Sequence, residues 1–281
     1  MRTPKARALG KALRKVREER GYGLREFAKV LERDPGVLSR WENGERIPSP
    51  DQVAQYLTRL EVIGDPYEEI MELTRATDEP RWLAISLPEQ RQQFDALLDF
   101  EQRATVITVL APLLIPGLLQ TSSYIRSIMS AGEVPDREVP RRIAMRIGRR
   151  DVLTRREPKP VRLAAFVGEA ALRQLIGTHE VMAEQLRHLR DAMTWPNVDL
   201  RVIPFDSGWH PALEGLCLVI DSDESDPVVH LELRDSLLFL HEEDDVNRYR
   251  QAVEKVERVA LGPQDSAEVI AEYIKRWENA E

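Results

Sequence analysis

With 281 residues, 31% of them charged and 42% hydrophobic, the chain has the composition of a folded protein of about two domains rather than a disordered or fibrous one. The single cysteine, Cys217, excludes a disulfide framework and a cysteine-based zinc cluster, and no apolar run reaches the roughly 20 residues of a membrane span. The net charge of −8 is uneven, because residues 1–46 carry 13 Lys/Arg against 7 acids, so a basic head precedes an acidic body. The N-terminus is basic but lacks an apolar h-region, which argues against a signal peptide and for a soluble, cytoplasmic protein with no membrane partner.

Leu9, Leu13 and Val16 recur at helical spacing over 5–20, and Gly21-Tyr22-Gly23 ends that helix. A short second helix over 24–31 turns Leu24, Phe27, Ala28 and Leu31 inward. Asp34 is placed to cap a third helix, with Pro35 as its first residue and Asn43-Gly44 as its stop. Ser49-Pro50-Asp51-Gln52 forms a capping box for a fourth helix that buries Val53, Tyr56, Leu57 and Leu60. Asp65-Pro66-Tyr67-Glu68 opens a fifth, with Ile70, Met71 and Leu73 inward.

A helix, a three-residue turn and a second short helix make a helix-turn-helix, whose second helix enters the DNA major groove. The string LREFAKVLERDPGVLSRWENGERIPSP resembles the Xre family of bacterial regulators, most specifically over 38–44. Glu32 stands where that family usually has glycine, and Arg25 where it usually has glutamine. The resemblance implies a five-helix, lambda-repressor-like domain and puts the base-reading positions on Pro35, Gly36, Val37 and Arg40. Pro35 and Gly36 offer no side-chain hydrogen bond, Val37 suits a thymine methyl, and Arg40 suits a guanine or a phosphate. Direct readout is therefore thin. Affinity is expected from phosphate contacts by Arg25, Arg33, Arg40, Asn43 and Arg46, with Ser39 on the same surface. Dimerisation, DNA shape or the Lys5/Arg7 segment would supply the remaining specificity.

Residues 77–90, with Pro80 and Pro88, read as a linker between a DNA-binding domain, 1–76, and a regulatory and dimerisation domain, 91–281. In the second domain, 89–103 reads as a helix presenting Phe94, Leu97, Leu98 and Phe100, and 105–110 as a buried strand. Helices follow over 118–131 and, rich in arginine, over 137–153. A strand at 161–167, helices at 169–176 and 179–193, and a strand at 198–204 suit a parallel crossover. Short antiparallel strands are expected at 216–220, 228–233 and 236–240. Two helices close the chain, one over 246–261 and one opened by a capping box at Asp265-Ser266-Ala267-Glu268. The fold class is α+β: a five-helix head, then a mixed α/β domain with a small sheet flanked by helices.

The strings PGLLQT (116–121), EAALR (169–173), VMAEQL (181–186) and NVDLRVIPF (197–205), then Gly208 and His210, occur in that order. In these the chain is similar to the C-terminal domain of a large actinobacterial group of Xre-type regulators, a domain of unknown function whose members are described as antitoxin-like. The resemblance implies a transcription regulator, often encoded beside a small partner protein, and implies no ligand or chemistry.

Candidate ligand- or partner-facing residues are those near predicted strand ends: Gln120, Glu169, Trp209, His210, Glu214 and Glu232. Each has a plainer reading, PGLLQT as a strand-to-helix transition and Glu169 as an acid favoured by a helix N-terminus. The five histidines share no metal-ligand spacing, and no nucleophile elbow, dinucleotide fingerprint or phosphate loop is present, so no catalytic residue, metal or cofactor is assigned. Eight arginines lie in 137–156, with Arg142, Arg146 and Arg149 on one helical face. They form a solvated face paired with acids of the same domain, a second phosphate-contacting surface, or a dock for an acidic partner, and the acidic run 221–245, where ten acids meet only Arg234, could be the segment they pair with. Cys217 reads as a structural thiol. These readings describe a homodimeric regulator of double-stranded DNA whose second domain takes its input from a small ligand or a small protein. The alternative is an antitoxin-like protein that sequesters a small partner, with DNA binding as autoregulation.

Overall fold

Three of the first five helices begin where proline follows a capping side chain. The computed structural model describes residues 3–279 apart from 76, 78, 80, 133, 234 and 235. Arg2, Ala76, Pro80 and Arg234, counted above in the basic head, the domain boundary, the linker and the acidic run, lie outside the described residues. Thr3, Asp34 and Ser49 accept backbone N–H groups at the starts of α1 (Pro4–Glu19), α3 (Pro35–Glu42) and α4 (Pro50–Arg59). α2 (Leu24–Val30) lies between the first two, and α5 (Asp65–Leu73) follows. The fifth start differs from expectation. Gly64, at φ 70°, precedes it, and Asp65 and Glu68 sit in the first turn, where the positive helix end favours them.

The chain continues through β1 (Arg81–Ala84), α6 (Leu87–Arg103), β2 (Val106–Ala111), a 3₁₀ turn (Gly117–Leu119) and α7 (Ser122–Ala131). Next come α8 (Val139–Gly148), α9 (Asp151–Thr154), β3 (Arg162–Gly168), α10 (Glu169–Arg173), α11 (His179–Ala192) and β4 (Val198–Ile203). A second 3₁₀ turn (Pro211–Glu214), β5 (Cys217–Ser222), β6 (Ser225–Glu232), β7 (Leu237–Leu240), α12 (Glu243–Val259) and α13 (Pro263–Glu278) complete it. The chain divides into two compact units, 1–100 with 232–243, and 101–231 with 244–281.

The core of the first unit holds Leu9, Leu13, Phe27, Leu38, Val53, Tyr56 and Leu57, all but fully buried. Val16, Leu24 and Leu31, expected inward, are half-buried, and Arg17 takes a buried place on α1 instead. Gly10 lets α1 and α3 touch: a Cβ there would lie 2.5 Å from the Trp41 carbonyl oxygen. The 77–90 stretch, read as a linker, holds β1, which pairs antiparallel with β7 in the register Trp82↔Phe239. Four residues are too few to display alternation in sequence, and Trp82 is buried by stacking on Phe239 at 6.0 Å.

Within the second unit five strands form a mixed sheet in the order β6-β5-β2-β3-β4, with β2, β3 and β4 parallel and β5 and β6 antiparallel. The parallel strands β2 and β3 are apolar nearly throughout, as expected for strands covered on both faces, whereas edge strand β4 carries Asp199 and Arg201. Leu110, Phe166, Ile203, Ala212 and Cys217 pack with Val256, while Tyr249 and Val253 flank them. Burial in that cluster pushes the Cys217 thiol up to about 12, so it stays protonated and inert. The arginine-rich helix is two helices rather than one, broken between Gly148 and Asp151. The last helix starts earlier than its expected capping box, at Pro263 after Gly262. Ser266 is not its cap, because its buried hydroxyl accepts the Val202 N–H at 2.9 Å and so satisfies edge strand β4. Among the described residues no helix is long and apolar enough to cross a membrane.

Candidate nucleic-acid interface

The helix pair α2–α3 is held from behind by an ion pair that sequence periodicity gave no hint of. Arg17 donates from Nε to Glu42 Oε1 and from Nη2 to Glu42 Oε2, both at 2.7 Å, and from Nη1 to the Tyr22 carbonyl at 2.6 Å. The Tyr56 hydroxyl lies 2.8 Å from Glu42 Oε1 and 3.0 Å from the Leu13 carbonyl oxygen. Burial, reinforced by the Glu42 charge, drives the phenol strongly upward, so Tyr56 is always a donor here. The pair is almost wholly buried, and its hydrogen bonds saturate both charges. It fixes α3 against α1.

On the same face of α3 as Glu42, Leu38 and Trp41 point into the core, while Gly36, Val37 and Ser39 are half-buried and Arg40 and Asn43 are exposed. Asp34 Oδ1 accepts the N–H groups of Gly36 (2.8 Å) and Val37 (3.2 Å), and Asn43 Nδ2 donates to Ser39 Oγ at 3.3 Å. Arg25, Arg33, Arg40 and Arg46 are all exposed, and none of the ion pairs or side-chain hydrogen bonds of the described residues involves them. The eight expected residues thus fall on α2, the turn and α3 or just beyond it, with four guanidinium groups that have no counter-ion among the described residues. Glu32, at φ 51°, occupies the left-handed region in the turn, the conformation that suits glycine. Arg7, expected as an additional DNA-facing group, is instead buried, its guanidinium over the Phe100 ring.

The strand-end candidates in the second unit do not converge. Gln120 is buried and donates to the Ile115 carbonyl at 2.8 Å, while its Oε1 has no partner among the described residues. Glu169 accepts the Phe205 N–H (3.0 Å) and the Tyr273 hydroxyl (2.7 Å), so it ties β4 and α13 to the start of α10. Burial and that carboxylate push Tyr273 up to about 12. Trp209 is 70% exposed and His210 only 6%, and burial holds the His210 imidazole below its ordinary range. Glu214 is exposed in the second 3₁₀ turn, and Glu232 belongs to the other compact unit. No hydrogen bond or ion pair of the described residues joins Gln120, Glu169, His210 and Glu214, and no group of three His, Cys, Asp or Glu that could hold a metal forms among them.

The arginine-rich stretch also differs from a single solvent-facing stripe. Arg149 turns inward, donating to Glu101 from Nε (2.8 Å) and Nη2 (2.6 Å), with Gly117 of PGLLQT packed over its guanidinium. Arg142 pairs with Glu138, and Arg155 donates to backbone carbonyls of Gln102, Ala104 and Lys159. The acids of 221–245 find other arginines: Asp221 pairs with Arg250, Glu224 with Arg103 and Asp245 with Arg248.

No curated protein and no solved structure matches the chain. Residues 8–70 match the family described as a helix-turn-helix domain, the stretch in which the unpaired arginines lie. Residues 94–272, more than half of the chain, match a second family that includes the Arg149–Glu101 pair and the strand-end loops, and the chain belongs to that family, the domain of unknown function DUF5753.

Proposed function

We propose that this chain is a transcriptional regulator of the Xre type that binds a two-fold-related DNA site as a homodimer. Residues 1–76 form the reading head and 91–281 the part that carries dimer contacts and an input. The observation that carries the reading is the set of exposed, unpaired guanidinium groups of Arg25, Arg33, Arg40 and Arg46 around a half-exposed α3. Such groups neutralise phosphates, and Arg40 together with Val37 supplies what base readout there is. A head with so few base-reading groups discriminates weakly alone, and two heads one helical turn apart restore specificity.

The test is selection of bound duplexes from a random pool with the full chain, followed by analytical ultracentrifugation of the complex. A two-fold-symmetric consensus bound by two copies supports the reading. A chain that binds all duplexes alike, or none, overturns it. A protein partner as the input is favoured by one observation: Leu113, Leu114, Leu175, Phe205, Trp209 and Leu213, all following the ends of the parallel strands, are exposed. Under that second reading, the antitoxin-like one, Trp209→Ala abolishes capture of the partner and leaves DNA binding intact.

A further inference from the structure

Positions 184, 187, 188 and 191 of α11 share one helix face. Their side chains, Glu184, Arg187, His188 and Asp191, line a cavity of about 390 Å³ together with Thr121, Ser122 and Arg150. The cavity wall is held by Gln185, fully buried, which accepts the Thr121 N–H at 2.7 Å and donates to the Leu119 carbonyl at 2.8 Å. The start of α7 and the middle of α11 are thereby set at a fixed separation, on either side of a polar pocket open to solvent.

The charges lining it do not cancel locally. Arg150 Nη2 lies 2.9 Å from His188 Nε2. A guanidinium only donates, so Nε2 accepts and the imidazole is neutral with its proton on Nδ1. Burial, then the Arg150 charge, hold His188 below its ordinary range, against the pull of Asp191 and Glu184. Burial also lowers Arg150, which Asp151 offsets only in part. Arg150 makes no ion pair among the described residues, whereas Arg187 is matched by Glu278 at 2.9 Å. Glu184 and Asp191 are exposed on either side of His188 and make no ion pair there either. A half-buried cation with no ion pair among the described residues thus sits against His188, which has a carboxylate about one helical turn away on either side, and all four line the same cavity. A phosphate would be drawn to Arg150 and repelled by both acids, and a metal ion would meet the reverse. A molecule carrying one carboxylate and one ammonium group a few ångströms apart matches both signs.

We propose that this cavity binds a small zwitterion of the α-amino-acid class, its carboxylate on Arg150 and on the Ser122 end of α7, its ammonium on Glu184 or Asp191. The ten-residue α7 presents its positive end to the carboxylate. Such a ligand is the input of the regulator above, and it rests on that reading only for its regulatory consequence, because binding itself needs no DNA. A carboxylate seated on Arg150 neutralises the charge that depresses His188, so occupancy raises the His188 pKa.

The experiment is calorimetric titration of the full chain, without DNA, with each of the common α-amino acids, and with acetate, methylamine and inorganic phosphate. The expected result is at least one amino acid binding ten-fold or more tighter than acetate, methylamine or phosphate, with binding abolished in Arg150→Gln. In the exposed-site variant Glu184→Gln/Asp191→Asn, which leaves the core untouched should Arg150→Gln fail to fold, amino-acid affinity falls several-fold and acetate affinity does not. By NMR, the His188 titration midpoint moves up on adding the bound amino acid to the native chain. Absence of both amino-acid binding and a His188 shift overturns the proposal. Phosphate or acetate binding as tightly as any amino acid overturns it too, identifying a plain anion site. Loss of DNA recognition leaves each of these readouts unchanged, so the two readings fail separately.

Discussion

Each of the two compact units buries one bidentate arginine–glutamate pair, Arg17–Glu42 in the first and Arg149–Glu101 in the second, with matching donor–acceptor distances of 2.6–2.8 Å. They differ in the fate of the remaining arginines. In the head, three of the acids near α2 and α3 are taken up elsewhere: Glu26 on the Gly23 N–H, Asp34 on the first turn of α3, Glu42 on Arg17. The four guanidinium groups around them have no ion pair or side-chain hydrogen bond among the described residues. In 137–156, Arg142, Arg149, Arg150 and Arg155 are engaged by the same unit, and Arg137, Arg141 and Arg156 remain exposed. Density of arginine in sequence therefore does not tell which guanidinium groups stay unpaired; the fate of the neighbouring carboxylates decides it.

The likeness of the two units breaks most visibly at the buried pairs. Arg17→Met and Arg149→Met each strand a buried carboxylate and are expected to cost about 3–5 kcal/mol in urea unfolding, most of it recovered in Arg17→Met/Glu42→Leu. A loss under about 1 kcal/mol would show that the pair is not the joint between α1 and α3. Acid acts next, on the second unit. Burial, with the Arg149 charge adding to it, lowers His230 to about 3. Because the unfolded chain takes up that proton first as pH falls below about 6.5, stability declines with falling pH, by of the order of 3 kcal/mol at pH 4. The unfolding free energy of His230→Gln, measured from pH 7 to 4, should fall less steeply than that of the native chain. An equal slope would remove His230 as the cause.

At the interface itself, Arg40→Ala is expected to weaken specific DNA binding by about 1–3 kcal/mol if Arg40 grips a guanine, and to relax preference at that base pair. Arg141→Ala should change neither, and both are checked by fluorescence anisotropy on the selected duplex. The smallest effect is local strain. Glu32 at φ 51° is relieved by Glu32→Gly, which should stabilise the head by up to about 1 kcal/mol in thermal unfolding.

The five head helices were legible because their signals are local: a capping side chain, a proline after it, a glycine at the stop. Arg17 was not, because a charged residue beside an apolar stripe reads as solvated, and its partner lies 25 residues away. The same distance problem hid the roles of Glu169 and Ser266, whose partners Tyr273 and Val202 are 104 and 64 residues away. The parallel strands β2 and β3 were visible as apolar runs, whereas β1, too short for a period, reads as linker. The face of α11 at 184–191 looks like an ordinary charged surface until Arg150, from the arginine-rich stretch, is set against His188.

The salt dependence of DNA binding tests the contrast most directly. Replacing Arg25, Arg33 and Arg46 together by glutamine should flatten the slope of log affinity against log salt, by about 0.9 for each phosphate that is no longer neutralised. Replacing Arg137, Arg141 and Arg156 in the same way should leave that slope as it is. An unchanged slope in the first variant, or equal flattening in both, would contradict the assignment of the interface to α2 and α3.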